Sequence, residues 1–497
     1  MITPSPALVD FDRYTAERRA HWEKIAERFH THPGWGGYYH HRLSEIYRQL
    51  ITPGQRVLEL GCGLGNLLAA LQPSLGVGVD FSDRMISLAR KHHPEASLRF
   101  VLADAHDLSV LSTLPGPVDE PTPFDAIILS DLLNDAWDVQ TILEQVARLA
   151  HPGTRLIINS YSRLWEQPLA LAQRLGLAQP TLTPNWLTVE DITNLAELGG
   201  FEVFRRWHEV LWPLPTPGLD ALCNRYLVRF LPFQHLALAN LIVARPAPIA
   251  SICPVEATLP SVSVIVPARN EAGNIPQIFA RCPEMGSQTE LIFVEGHSSD
   301  STYAAIEAAI ATNPNRPTRL FRQTGIGKGD AVRLGFTQAR GDIVMILDAD
   351  LTVLPEDLPR FYKALCSGKG EFINGVRMVY PMEKQAMRFL NFLGNKFFSL
   401  AFSWLLGQPI KDTLCGTKAL WRADYEKIAA NRAYFGDFDP FGDFDLLFGA
   451  VRLCRKIIDL PVRYRERTYG TTNIQRWKHG WLLLKMVAIA AGRLKFI

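Results

Sequence analysis

Apolar residues in the first half of the chain fall into short unbroken runs at 56–60, 77–80, 98–102, 126–129, 155–159, 201–205 and 236–244. Runs of this length without polar alternation predict strands buried on both faces. Helical stretches lie between most of them, so the pattern predicts a parallel or mostly parallel sheet covered on both sides. The following span carries Pro246, Pro248, Pro254 and Pro260. Proline fixes φ and removes a backbone donor, so 246–260 reads as a linker that closes a first domain over 1–245. A buried strand at 261–267 restarts the alternation, with further strands at 290–294 and 342–348. These predict a second α/β domain over 261–497.

Length agrees with this division. One hydrophobic core rarely grows past roughly 250–300 residues, and the chain has 497. Lys+Arg is 52 and Asp+Glu is 50, a formal charge of 52 − 50 = +2. That balance excludes a polybasic protein that coats nucleic acid through bulk charge. The cysteines form no CxxC pair, so neither a disulfide framework nor a structural zinc site is expected. The N-terminal residues have no basic and apolar signal pattern. No run of about 20 uncharged apolar residues predicts a bilayer-spanning helix. The expected setting is cytoplasmic.

In the first half, the strand Val57-Leu-Glu-Leu60 carries Glu59 near its end and leads into Gly61-Cys-Gly63-Leu-Gly65. Glycine permits positive φ and close backbone approach, so a ligand can rest on such a turn and the next helix start. The spacing G-x-G-x-G departs from the dinucleotide fingerprint G-x-G-x-x-G. The next strand ends at Asp80, a candidate acceptor for ribose hydroxyls. The third ends near Asp104, a candidate acceptor for an adenine amine. The fourth ends at Ser130-Asp131 on the same sheet edge. Together these residues resemble the class I S-adenosylmethionine-dependent methyltransferases over about 30–245. The resemblance implies a Rossmann-like domain that binds S-adenosyl-L-methionine. Gly61, Gly63 and Gly65 would line the methionine and ribose, Glu59 would orient the amino-acid part, Asp80 would bind ribose, and Asp104 with Ala105 would flank adenine. Ser130-Asp-Leu-Leu-Asn-Asp135 lacks the N/D-P-P-Y/F tetrapeptide, and there is no Pro-Cys nucleophile. Amino-methylation of the adenine or glutamine type and cytosine C5 methylation are therefore not expected. Tyr38, Tyr39, His40 and His41 precede the first strand, where a lid would lie.

In the second half, Val264-Ile-Val-Pro-Ala-Arg-Asn-Glu271 leads a strand into a polar turn, and the next strand ends at Glu295. Gly325-Ile-Gly-Lys-Gly-Asp330 follows; it is not a P-loop, because Gly329 succeeds Lys328. The apolar run 343–347 then delivers Asp348-Ala-Asp350. Two carboxylates one residue apart repel unless a hard cation joins them, and Mg²⁺ or Mn²⁺ with diphosphate oxygens fits. This order of motifs resembles family-2 glycosyltransferases of the GT-A fold, especially the branch with dolichyl-phosphate mannose synthases, over about 261–480. The resemblance implies that Pro267, Arg269, Asn270, Glu271 and Glu295 shape a nucleoside pocket. Lys328 would sit near the diphosphate, and Asp348 and Asp350 would hold the metal. Downstream, 411–420 resembles the acceptor-side segment of this group. Asp443 and Asp445 open an apolar helix as candidates for the base of an inverting transfer, with Asp443 preferred.

Residues 463–497 carry Arg463, Arg465, Arg467, Arg476, Lys478, Lys485, Arg493 and Lys495 against one acid, Glu466. Arg465, Arg467 and Arg476 are candidates to bind diphosphate or a phosphorylated acceptor. No nucleic-acid module accompanies this block, so no nucleic-acid partner is expected. In 389–406, Phe389, Leu390, Leu393, Phe397, Leu400, Ala401 and Trp404 predict one buried helix face. The surplus of Phe392, Phe398, Phe402 and Leu405 predicts a second apolar contact: a membrane surface, a lipid-carrier acceptor or a dimer partner.

The combined expectation is an α/β chain of two domains, a Rossmann-like methyltransferase followed by a GT-A nucleotide-diphospho-sugar transferase. It would use S-adenosyl-L-methionine and Mg²⁺ or Mn²⁺. It would transfer sugar from a nucleotide-diphospho-sugar to a lipid-phosphate or glycan acceptor. The alternatives are a glycosyltransferase carrying a non-catalytic adenosyl-binding scaffold, and a peripheral protein that docks on the cytoplasmic membrane face.

Overall fold

The computed structural model of the chain describes residues 6–28, 37–113, 124–175, 182–248, 259–377, 389–434, 442–465, 467, 469 and 476–496. The chain divides into two compact units, Met1–Ala247 and Pro248–Lys495. Most of the span 246–260 lies outside the described residues.

The first unit has seven strands: β1 (Arg56–Leu60), β2 (Leu75–Asp80), β3 (Leu98–Leu102), β4 (Ala126–Ser130), β5 (Arg155–Tyr161), β6 (Phe201–Glu209) and β7 (Ala239–Pro246). Their order is β3-β2-β1-β4-β5-β7-β6. β1 to β5 pair in parallel, whereas β7 runs antiparallel to both β5 and β6. The first six expected runs are strands; the seventh, 236–244, is a strand only from Ala239, because Phe233–Leu236 form a 3-10 turn. The parallel majority holds. β6 continues past Arg205 because it stays paired with β7 through a bulge between Val203 and Arg205. Leu58, Leu60, Ile127, Leu129, Leu156 and Ile158 are buried together in one core. The helix Val139–Leu149 starts where Asp138 accepts from the amides of Gln140 (3.0 Å) and Thr141 (3.2 Å). It buries Val139, Ile142, Leu143 and Val146, an i, i+3, i+4, i+7 stripe.

The second unit has β8 (Val262–Ala268), β9 (Thr289–Glu295), β10 (Thr318–Arg322), β11 (Ile343–Ile346), β12 (Phe372–Val376), β13 (Lys418–Trp421) and β14 (Ile457–Pro461). Their order is β10-β9-β8-β11-β13-β12-β14, with β13 antiparallel to β11 and β12. Along β8, Val262, Val264 and Val266 enter one core and Ile265 enters the other, so both faces are covered. β10 and β12 to β14 have weak sequence signals. They are short, and polar or turn-forming residues such as Thr318, Asn374, Lys418 and Asp459 interrupt them.

The helix Phe389–Leu406 corrects one expectation. Phe398, Phe402, Leu405 and Leu406 are buried, and Phe402 packs its ring 5.1 Å from Phe444 and 5.9 Å from Phe448. Phe397 (58 % exposed), Leu400 (64 %) and Trp404 (38 %) face outward. The helix has two apolar faces, but the stripe expected in the core is the exposed one. The aromatic pair Phe444 and Phe448 selects the other stripe by packing. The side chains of Phe389, Leu390, Phe392 and Leu393 lie outside the described residues. Among the described residues, no helix is long and apolar enough to cross a membrane.

Between β1 and the helix Asn66–Ala70, Gly61, Gly63 and Gly65 have φ of +74°, +52° and +74°. A Cβ on Gly65 would lie 2.4 Å from a ring carbon of Phe100, whereas one on Gly63 would meet nothing within 4 Å. Gly63→Ala should therefore cost only the left-handed backbone penalty, about 1–2 kcal/mol. Gly65→Ala should add overpacking of about 1–3 kcal/mol. Urea melts of both variants check this; equal losses would contradict the packing.

Candidate functional sites

In the first unit β1 lies between β2 and β4, so strand order reverses there and a crevice opens beyond the C-terminal strand ends. The glycine turn follows β1 at this point. The amides of Gly61 (2.8 Å) and Cys62 (3.0 Å) donate to the Val79 carbonyl, which ties the turn to β2. Asp80 ends β2 and accepts from the amides of Gly63 (3.0 Å) and Ser82 (2.9 Å). Burial raises its pKa, and the Ser82, Gly63 and Phe81 amides oppose that rise. Glu59 is buried, and among the described residues its Oε2 has no hydrogen-bond partner. Burial pushes Glu59 up to about 8, partly offset by the Leu68 amide. An unpartnered buried acceptor beside a glycine turn fits the ammonium group of an amino acid.

Asp104 follows β3, whose end adjoins Asp80 through the Ala103 amide (3.1 Å to the Asp80 carbonyl). The imidazole of His106 accepts from the Asp138 amide through Nε2 (3.1 Å), so Nδ1 carries the proton donated to Asp104 Oδ1 (2.7 Å). Burial would raise Asp104, but the bonds from His106 outweigh it and hold the carboxyl low. Ala105 is half-buried against the core. Glu59, the three glycines, Asp80 and Asp104 with Ala105 thus line one sheet edge.

The expected lid residues lie on the helix Gly37–Leu50. His40 and His41 are exposed. Tyr38 accepts from Asn224 (3.0 Å), and Tyr39 donates to Asp131 Oδ1 (3.0 Å). Asn159 on β5 donates to the same Oδ1 (2.7 Å). Asp131 was legible only as the end of the fourth strand, and its partners come from distant segments.

The second unit repeats the logic, with β8 between β9 and β11. Pro267 lies within β8, and Arg269 beyond it is exposed. Asn270 has φ +59°; its amide donates to the Ser298 hydroxyl (3.0 Å) and its side chain accepts from the Ser299 amide (2.8 Å). Glu295 accepts from the Ser298 amide, so the two expected strand ends form one polar pocket. Glu271 is buried beside Asn274 (2.7 Å). Burial pushes it up to about 7 against the pull of Arg467.

Asp348 pairs with Lys328, and Asp350 Oδ2 accepts from Arg467 (2.6 Å). Arg467 also reaches Glu271 (3.2 Å). Burial would lower the Lys328 pKa, but Asp348, Asp443 and Asp350 raise it further. A Cβ on Gly416 would lie 2.0 Å from Asp348 Oδ2 and 2.2 Å from Lys328 Nζ, so a larger residue there would make this pair shift. Two carboxylates at one strand end are oxygen donors of the type that Mg²⁺ or Mn²⁺ takes, but here Lys328 and Arg467 hold them, and among the described residues no group of three or more His, Cys, Asp or Glu is placed to hold a metal.

Asp443 joins this group through fully buried Lys418, whose ammonium donates to it (2.8 Å) and to the Cys415 carbonyl. Asp445 does not. It pairs with Arg432 (2.8 Å) and Arg333 (3.4 Å) away from Asp348. Arg465 is exposed, with its amide on the Thr352 carbonyl (2.9 Å). The Arg476 side chain lies outside the described residues. Lys418 and Gly416 were not singled out as site residues, although the segment 411–420 contains both.

Residues 51–199 match the family model described as a methyltransferase domain, and residues 263–428 match glycosyl transferase family 2. The undecaprenyl-phosphate 4-deoxy-4-formamido-L-arabinose transferase of Proteus mirabilis is 37% identical over 215 residues, covering 42% of this chain and 61% of that protein. The chain spans about three fifths of the length of the curated relatives it matches. A glucosyl-3-phosphoglycerate synthase from Mycobacterium tuberculosis, solved with Mn²⁺, uridine diphosphate and glucosyl-3-phosphoglycerate, is 20% identical with a TM-score of 0.35. That match covers 47% of this chain and 80% of the synthase. An S-adenosylmethionine-dependent methyltransferase from Mesorhizobium loti is 21% identical with a TM-score of 0.29, covering 39% of this chain and 92% of its own.

The raised Glu59 carboxyl makes stability depend on pH. Its folded value near 8 lies above the ordinary 4.5. Its contribution to stability is therefore complete below about pH 4.5 and is lost as pH rises through 8. Glu59→Gln should melt close to wild type near pH 5 and should be more stable above pH 8.5, by a few kcal/mol at most, on the order of its pKa shift. Calorimetric melts at both pH values check this; a difference independent of pH would contradict it.

Proposed function

We propose that this chain, which joins a methyltransferase domain to a family-2 glycosyltransferase domain in one transferase, moves a sugar from a nucleotide-diphospho-sugar to a lipid-phosphate acceptor and a methyl group from S-adenosyl-L-methionine to a second acceptor. The span 246–260 serves as the linker. The observation that carries the sugar-transfer reading is the Asp348–Asp350 pair, each carboxylate facing a cation, with Asp443 alongside. Asp348 and Asp350 would hold Mg²⁺ or Mn²⁺, and that ion would neutralise the diphosphate leaving group.

Lys328 and Arg467 would turn from the carboxylates to the diphosphate once the ion takes their place, because both sit within reach of it. Pro267, Arg269, Asn270, Glu271 and Glu295 would enclose the nucleoside, with Arg465 and Arg476 reaching phosphate from the C-terminal block. The name of the Proteus mirabilis relative includes undecaprenyl-phosphate, which supports a lipid-phosphate acceptor here. A phosphate arrives ionised and attacks the anomeric carbon without surrendering a proton. That suits an Asp443 already engaged by Lys418. A glycan hydroxyl would instead need Asp443 as base. The exposed Phe397, Leu400 and Trp404 offer a lipid or membrane surface somewhere to rest.

In the first unit S-adenosyl-L-methionine would supply a methyl group on a positively charged sulfur. Glu59 would accept from its ammonium, Asp80 from the ribose, and Asp104 Oδ2 from the adenine amine.

Asp348→Asn and Asp350→Asn should each lower metal-dependent sugar release at least about 100-fold, in line with loss of a leaving-group clamp. Affinity for S-adenosyl-L-methionine should stay within twofold. A screen of nucleotide-sugars with Mg²⁺ and Mn²⁺, paired with calorimetry, checks both. Undiminished sugar release in the two variants would end the metal-site reading.

A further inference from the structure

Asp131 has no role in the reading above. It follows β4 with φ +55°, a left-handed conformation uncommon outside glycine. Such strain persists only where surrounding contacts over-determine it, and here they do. The Asp131 amide donates to the Asn159 carbonyl (3.1 Å). Its Oδ1 accepts from both Tyr39 (3.0 Å) and Asn159 (2.7 Å), and Asn159 is locked in turn by the Tyr47 hydroxyl (2.7 Å). Asn159 and Tyr47 are fully buried, whereas Asp131 is partly exposed, and among the described residues no hydrogen bond reaches its Oδ2.

The position matters as much as the partners. β4 is the parallel neighbour of β1, with Leu129 level with Leu60. A Cβ on Gly61 would lie 3.2 Å from the Leu132 side chain, so the glycine turn packs against the residue next to Asp131. Tyr39 and Tyr47 on the helix Gly37–Leu50, Tyr161 on β5 and Asp135 just downstream are the titratable groups around it, and Glu59 on β1 acts on Tyr47 rather than on Asp131. Asp135 is itself paired with Arg18 (3.5 Å) and Trp22 (2.8 Å). Burial pushes Asp131 up to about 7, against the bonds from Tyr39 and Asn159 and with a further push from Asp135.

We propose that Asp131 is the proton acceptor of the methyl-transfer site, serving an acceptor that reacts through a protic nitrogen or oxygen, with Tyr39 and Asn159 as positioning residues. The inference rests on the reading of this unit as an S-adenosyl-L-methionine site. In the transfer, the acceptor's N–H or O–H proton passes to Asp131 Oδ2 while the nucleophile's lone pair forms the bond to the methyl carbon. The carbon–sulfur bond breaks with its electron pair kept by sulfur, which becomes neutral. Asp131 then returns the proton to water.

A base in this position faces the sulfonium charge, which S-adenosylhomocysteine lacks. Calorimetry of both compounds at pH 6 and pH 8 isolates that charge, because the ammonium, ribose and adenine contacts are common to the two and cancel in the ratio. In the wild type, preference for S-adenosylmethionine should rise at least about threefold between pH 6 and pH 8, a modest Coulomb effect at this separation. Asp131→Asn should abolish the rise and leave S-adenosylhomocysteine affinity within twofold. Tyr39→Phe should keep the rise but move its midpoint to higher pH, since a donor to the charged carboxylate is lost. A wild-type preference independent of pH, or one that Asp131→Asn reproduces, overturns the proposal. Failure of both compounds to bind would instead overturn the adenosyl-site reading beneath it.

Discussion

In both units carboxylates are carried to the C-terminal edge of a sheet whose two faces are covered, where they stand buried or half-buried. An ionised group in such a place must find a partner or a proton. Glu59, Asp80 and Asp131 stand at this edge in the first unit, and Glu295, Asp348 and Asp350 in the second. The edge exists because β1 and β8 each lie between strands that continue the chain in opposite directions. What each site can bind follows from how its carboxylates are compensated.

The two units resolve the constraint differently. In the first, the partners are backbone amides, one asparagine and one tyrosine, which are neutral, and among the described residues no cation pairs directly with Glu59, Asp80 or Asp131. Glu59 and Asp131 consequently rise to about 8 and about 7. A ligand that brings positive charge relieves this environment. In the second unit, Lys328, Arg467 and Lys418 already supply cations to Asp348, Asp350 and Asp443. There the carboxylates are already compensated, and the fully buried Lys418 holds Asp443 in place. Asp445 satisfies the same constraint by pairing with Arg432 and Arg333, which makes it part of the scaffold beneath the site.

Much of this was legible before any coordinates. Uninterrupted apolar runs identify strands buried on both faces, because nothing else in a soluble fold hides four or five consecutive side chains so simply. Gly61, Gly63 and Gly65 mark a turn of positive φ, and Asp348-Ala-Asp350 marks charge delivered by an apolar strand. Less legible were β10 and β12 to β14. Their residues have no apolar pattern of their own and become strands only by pairing with neighbours. The helix Phe389–Leu406 is doubly apolar in its letters, and its composition does not say which stripe is buried. The aromatic partners that decide it, Phe444 and Phe448, lie about forty residues downstream.

The sequence by itself determined two α/β units, the turns at the C-terminal ends of their central strands, and the types of side chain available there. Those features are local: backbone freedom, burial period and the spacing of a few residues encode them. Only the tertiary structure decided which charges meet. The pairing of Asp443 with Lys418 but Asp445 with Arg432, the position of Arg467 over Asp350, and the binding of Asp131 by Tyr39 and Asn159 all join residues far apart in the chain. Two carboxylates separated by one residue on the same helix start are nearly identical as letters. They acquire different chemistry because a helix turns them toward different neighbours, and those neighbours are set by strand order.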